Sequence, residues 1–180
     1  AGANPNYPGS IRDVLERAFA RPGFVGIKLH ATAHDCKLEA AGYEPAWQWA
    51  DEHRVPVLVH YWAKDVRCGP ENVRRVATRY PRVQIVLAHL GGAGNDYRSI
   101  PPLAAEHANL WFDTCGSRHC RGTIAELVSA GIGLRLLYGS DMPFIDPGSQ
   151  LGKIQHADIP EDVREAILRD NAVRLFGWEE

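Results

Sequence analysis

The sequence predicts an α/β fold built on a parallel sheet, and three observations carry that prediction. Apolar runs of strand length alternate with segments of helical periodicity. Each strand–helix unit spans roughly 25–30 residues, the length of a parallel crossover unit. The strands are nearly continuous in apolar residues, as burial on both faces requires.

The elements follow in order. The segment 10–20, "SIRDVLERAFA", is helical, with Ile11, Val14, Leu15, Ala18 and Phe19 on one face and Ser10 as the expected N-cap. "GFVGIKLH" (23–30) is the first strand. "YEPAWQWADEHR" (43–54) is a helix whose Trp47 and Trp49 suit packing, and "VPVLVH" (55–60) is the second strand. "GPENVRRVATRY" (69–80) is helical and leads into "RVQIVLAH" (82–89), the third strand. In "SIPPLAAEHA" (99–108) the prolines fall where a first helical turn tolerates them. "NLWFDTC" (109–115) is the fourth strand, "GTIAELVSAG" (122–131) a helix closed by glycine, and "LRLLYGSD" (134–141) the fifth strand. The Gly-, Pro- and Asp-rich stretch 141–159 reads as a long loop, and 159–177 as one or two closing helices.

Composition limits the function classes. With 180 residues the chain is expected to form one domain with a substantial core. A net charge of -2 offers no electrostatic case for nucleic acid or an anionic membrane. No apolar run reaches the roughly 20 residues of a spanning helix, and no signal-peptide pattern is present. Cys36, Cys68, Cys115 and Cys120 lack C-x-x-C spacing and are read as reduced thiols of a cytoplasmic protein. The chain begins with Ala rather than Met, which suggests removal of an upstream segment.

The chemistry collects at the strand ends. The five strands finish on His30, His60, His89, Asp113 or Thr114, and Asp141. In a parallel sheet those ends share one edge, where such folds place their sites. Alternation would give His60 the company of Leu58 and Pro56, His89 that of Leu87 and Ile85, and Asp141 that of small Gly139. One strand-end histidine is commonly a structural residue, and Asp141 alone could cap the turn before Met142-Pro143. Two histidines and an aspartate at one edge also form a suitable zinc-ligand set, with an open position that would activate water. Lys28 shares parity with His30 and faces the same side, to hold an anionic substrate, to be carboxylated, or to snorkel to the rim. "GGAGNDY" (91–97) lacks a P-loop lysine, so its glycines are read as letting backbone pass close to substrate. Tyr61, Trp62, Lys64 and Arg67 would grip a substrate or cover the rim. His34, His53, His107, His119 and His156 are surface or structural, with His119 near enough to line the mouth.

In "GIKLH", "PVLVH", "VLAHLGG", "LWFDTCG", "RLLYGSDMPF" and "ILRDNAVRLFG" the chain resembles the amidohydrolase-related metal-dependent hydrolases, from about residue 21 to 177. That branch also holds the aminocarboxymuconate-semialdehyde decarboxylase-like enzymes. The resemblance implies a TIM-type (β/α)8 barrel, of which residues 1–180 carry about five βα units matching strands 4–8, with the first three strands absent. It implies a divalent metal, zinc foremost, held by His60 and Asp141, with His89 and Asp141 catalytic. Lys28, His30 and Trp62 are the substrate-binding candidates. The family's H-x-H metal-ligand pair does not occur here, so His30 or His89 would substitute.

Three functions follow from the resemblance. The first is a hydrolase in which metal-activated water attacks an amide, ester or lactone carbon of a small molecule. The alternative is non-oxidative decarboxylation of a small unsaturated or aromatic acid. The third is a catalytically inactive fragment or assembly protein. Exposed barrel edges would favour a homo-oligomer.

Overall fold

The computed structural model describes residues 1–116 and 119–178. The sheet consists of β1 (Ile27–Leu29), β2 (Val57–His60), β3 (Ile85–Ala88), β4 (Leu110–Asp113) and β5 (Leu136–Leu137), paired in that order and parallel throughout. The intervening helices are α1 (Pro8–Phe19) before the sheet, then α2 (Glu44–His53), α3 (Pro70–Arg79), α4 (Ile100–Glu106) and α5 (Thr123–Ser129). After β5 come α6 (Pro147–Gln155), α7 (Glu161–Glu165), a π-helical turn (Ala166–Asp170) and α8 (Asn171–Phe176). The α/β alternation read from the sequence is therefore the observed order. None of the described helices is long and apolar enough to cross a membrane.

Several boundaries differ from expectation, each for a local reason. α1 starts with a proline in its first turn, and Ser10 lies inside that turn, its Oγ donating to the Tyr7 carbonyl at 3.0 Å rather than capping. β1 occupies only Ile27–Leu29 of the stretch 23–30, which opens with Gly23 at a left-handed φ of 93°. β5 stops at Leu137, so Gly139, Ser140 and Asp141 lie beyond it. The stretch 141–159 is not wholly a loop. Asp146 caps α6 by accepting from the Ser149 amide at 3.1 Å, and Pro147 opens the helix.

The two sheet faces are chemically distinct. Ile27, Leu29, Val57, Val59, Ile85, Leu87, Leu110 and Phe112 are buried in the main core shared with α1 to α5. Register places Leu58 beside Val86 and Val86 beside Trp111 on the opposite face, where Leu137 and α8 residue Leu175 join them. This corrects the expected partners of His89: Ile85 and Leu87 belong to the helix-covered face, and Val86 to the inner one. At the outer side of β1, Gly2 pairs in parallel with Lys28, and the Ala3 amide donates to the Lys28 carbonyl at 3.3 Å. Residues 1–3 thus lie as a short extended segment on that edge.

Candidate active site at the carboxyl edge of the sheet

Each candidate reaches the site by its own backbone route. Lys28 and His60 project from β1 and β2 on the inner face. His30 follows β1 directly, and its Nδ1 accepts from the Ala33 amide at 3.2 Å, which fixes its ring. His89 and Leu90 leave β3 with φ of 71° and 44°, a left-handed turn that swings the imidazole onto the inner side despite its strand parity. Asp141 arrives from the loop after β5, also left-handed at φ 58°. The expectation that Asp141 is the last inward position of the strand is corrected: its aim is set by that turn.

These routes converge. Lys28, His30, His60, Trp62, His89 and Asp141 all line one cavity of about 390 Å³. His30 stacks on His60 with ring centroids 4.0 Å apart, His60 stacks on Trp62 at 5.6 Å, and His89 meets His60 edge-on at 4.7 Å. Gly92 makes room for this wall, since a Cβ there would fall 2.6 Å from the Trp62 ring. The glycine makes room for an indole and also lines the cavity. Exposed Phe144 stands at the mouth.

Electrostatics follow from crowding. Burial, then the neighbouring His30, His89 and Lys28, push His60 down to about 3. Burial is also the main cause that brings His89 to about 4, against the pull of Asp141. Both imidazoles are neutral near pH 7 and present lone pairs. Lys28 is lowered by burial, partly offset by Asp113, Cys115 and Asp141.

Two residues outside the expected set matter here. Asp113, at the end of β4, accepts from the Cys115 amide at 2.7 Å, and burial raises its carboxyl above the ordinary range. A Cβ on Gly139 would fall 1.9 Å from Asp113 Oδ1, so the glycine is the space that carboxyl occupies. The Cys115 Sγ lies 3.1 Å from His89 Nδ1. Asp113 shares strand parity with Trp111 on the inner face, and that parity was the signal available in the sequence.

Other candidates are engaged elsewhere. The Tyr61 hydroxyl donates to Ser99 Oγ at 2.7 Å, Lys64 pairs with Asp96, and Arg67 pairs with Asp35 and Asp65. Of the four residues after β2, only Trp62 faces the cavity. His119 turns away from it, its Nε2 2.9 Å from the Cys115 carbonyl, and lines a separate cavity beside Lys153 and His156. Trp47 and Trp49 are buried packing residues, as read.

In a parallel α/β sheet the carboxyl edge, where these histidines and carboxylates gather, is the place such folds put their sites. A sequence model of the family described as Amidohydrolase matches residues 1–178, and the chain belongs to that family. Solved structures share the fold. A TIM-barrel protein from Bordetella bronchiseptica superposes with a TM-score of 0.81 at 17% identity, over 98% of this chain and 65% of that one. The 2,6-dihydroxybenzoate decarboxylase from Rhizobium gives 0.74 at 19% identity, over 98% and 70%. A dihydroxybenzoic acid decarboxylase from Polaromonas sp. JS666, solved with bound manganese, gives 0.71 at 19% identity, over 97% and 66%. The chain thus spans roughly two thirds of these relatives' length. No curated protein matches the sequence significantly.

Proposed function

We propose that the chain carries a cation-binding site of an enzyme that decarboxylates a small aromatic or unsaturated carboxylic acid. The observation that carries this reading is the stacked column of His30, His60 and Trp62 beside the Lys28 amine, which borders the cavity with aromatic edges and one cationic group, a lining suited to a small carboxylate. The residues present fit a divalent cation. His60 is a neutral imidazole, and Asp141 supplies a carboxylate lining the same cavity. When bound, the cation supplies positive charge that stabilises electron-rich oxygens of the substrate.

The chain's own groups do the rest. Lys28 pairs with the anionic end, while the stacked Trp62 and His60 border the substrate and exclude water on that side. His30 borders the acid from the other side. His89, neutral at rest, gives its ring N–H proton to the carbon that loses its carboxyl group while its other nitrogen takes one from solvent by way of Asp141. The electron pair of the broken C–C bond becomes the new C–H bond, and carbon dioxide departs. Asp141 holds the cation and relays that proton.

The sequence alone ranked hydrolysis first. It remains the second reading, favoured by the family's amidohydrolase description, with His89 and Asp141 taking a proton from water as an amide, ester or lactone carbon is attacked. Zinc is the expected ion, as an imidazole–carboxylate set accepts it. The five strands are assigned to positions 4–8 of a (β/α)8 barrel, with residues 1–3 at the end of position 3. Residues 1–180 then form one barrel-derived domain, and its open side is completed by a second copy. Four free thiols fit the cytoplasm.

The test is metal content by elemental mass spectrometry, followed by a panel of small aromatic acids with released carbon dioxide as readout. One divalent ion per chain, lost in His60→Ala and Asp141→Ala, is expected together with carbon dioxide release. Bound metal with acid or alcohol products from amides, esters or lactones would establish hydrolysis instead. A chain that takes up no metal is an inactive fragment or assembly protein.

A further inference from the structure

His89, Cys115 and Asp141 are the group whose chemistry the proposed reaction leaves incompletely used. One ligand atom from each lies within 4.8 Å of the others: an imidazole nitrogen, a thiol sulfur and a carboxylate oxygen. Cys115 Sγ and His89 Nδ1 are already 3.1 Å apart, and both residues are buried. A tetrahedral ion with a Zn–S bond of about 2.3 Å and a Zn–N bond of about 2.0 Å would hold that pair about 3.5 Å apart, so a small separation of the two side chains admits the ion.

Geometry alone does not choose the ion, but the donor set does. Thiolate is a soft ligand that favours zinc and similar borderline ions over manganese, magnesium or calcium. His60 and Asp141 contain no sulfur and discriminate far less. The left-handed turn at His89 aims its Nδ1 edge at Cys115, whereas His60 stacks between His30 and Trp62. Two ligand groupings therefore share Asp141: His60 lines the cavity with it, and Cys115 lies buried beside His89 at the cavity wall.

We propose that His89, Cys115 and Asp141 form a second cation position, selective for thiophilic divalent ions, that switches the site off when filled. Filling it breaks the S–H bond of Cys115, and the proton leaves to solvent while the sulfur lone pair binds the ion. The ion also takes the Nδ1 lone pair of His89 and one oxygen of Asp141. Proton delivery by His89 stops, and the carboxylate is drawn from the first position. An excess of zinc thus inhibits, and manganese at the same concentration does not. This inference rests on the proposed metal-dependent reading, and the experiment separates the two.

The experiment is a cobalt(II) titration of the metal-free full chain, followed by absorption. Cobalt bound to thiolate gives an intense near-ultraviolet sulfur-to-metal charge-transfer band, which nitrogen and oxygen ligands do not. The first equivalent is expected to bind without that band, and the second to raise it. Cys115→Ser should abolish the band and keep the first equivalent. His60→Ala should weaken the first and keep the band, which guards against a fold defect in either variant. Zinc should erase the band by displacement, and manganese should leave it. Cobalt bound at one equivalent with no sulfur band at any loading overturns the second position and leaves the first intact. A band that survives Cys115→Ser, or one that belongs to the first equivalent and vanishes with it in His60→Ala, overturns it too. Failure to bind cobalt at all overturns both readings.

Discussion

At the residue scale, side chains in the loops beside the site are held by more than packing, and Asp65 is the clearest case. Its carboxylate accepts from the Arg67 amide at 2.8 Å, the Thr32 hydroxyl at 2.7 Å and the Arg67 guanidinium at 3.2 Å. Burial works against its ionisation, yet these three donors outweigh it and hold the carboxyl below its ordinary value. A depressed folded pKa contributes stability that is present above the unfolded value, about 3.9, and is lost as pH falls through the folded one. Asp65→Asn is therefore expected to melt lower than wild type at pH 7. The gap should narrow as pH drops below about 4; a gap that stays constant would refute the assignment. His60 and its environment were legible in the sequence because a strand-end position fixes both place and direction. His89 was found by residue type, but its neighbours were not. A left-handed turn reverses side-chain parity, and no pattern of apolar residues records it.

At the element scale, side-chain donors tie the last helices to the sheet. Asn171, fully buried at the start of α8, donates through Nδ2 to the Gly133 carbonyl at 2.9 Å and the Leu136 carbonyl at 2.7 Å. Arg164 of α7 ties that helix to the end of α6, donating to the carbonyls of Gln155 at 2.8 Å and, just beyond the helix, Ala157 at 3.2 Å. Asn171→Ala leaves two buried acceptors without their donor, at a cost of about 2–3 kcal/mol. Urea denaturation should show that loss in the midpoint with little change in slope, because the surface exposed on unfolding is nearly the same. The long helices and central strands were legible from periodicity. α6 was not, because Pro147, Gly148 and Gly152 suppress helical propensity, and only the Asp146 cap with proline behind it marked the start.

At the scale of the whole molecule, the sheet is open on one side. Exposed Phe24 and Val25 border a second cavity of about 460 Å³ over the inner face, shared with Leu58, Val86 and Phe176. Apolar surface of this kind favours association. Light scattering is expected to give a mass above the 19.9 kDa of one chain, and a stable monomer would refute a completed edge. The two-faced sheet carries a further consequence. The helix-covered positions hold nearly all of the buried aliphatic side chains, while Lys28, His60 and Asp113 sit on the alternate positions, Lys28 in the same row as Leu58, Val86 and Trp111 and the other two one step above it. Folding free energy and chemistry thus draw on interleaved but separate sets of codons. A lineage can rewrite every second residue near the strand ends, acquiring a new reaction one substitution at a time, while the set that secures the fold is inherited unchanged.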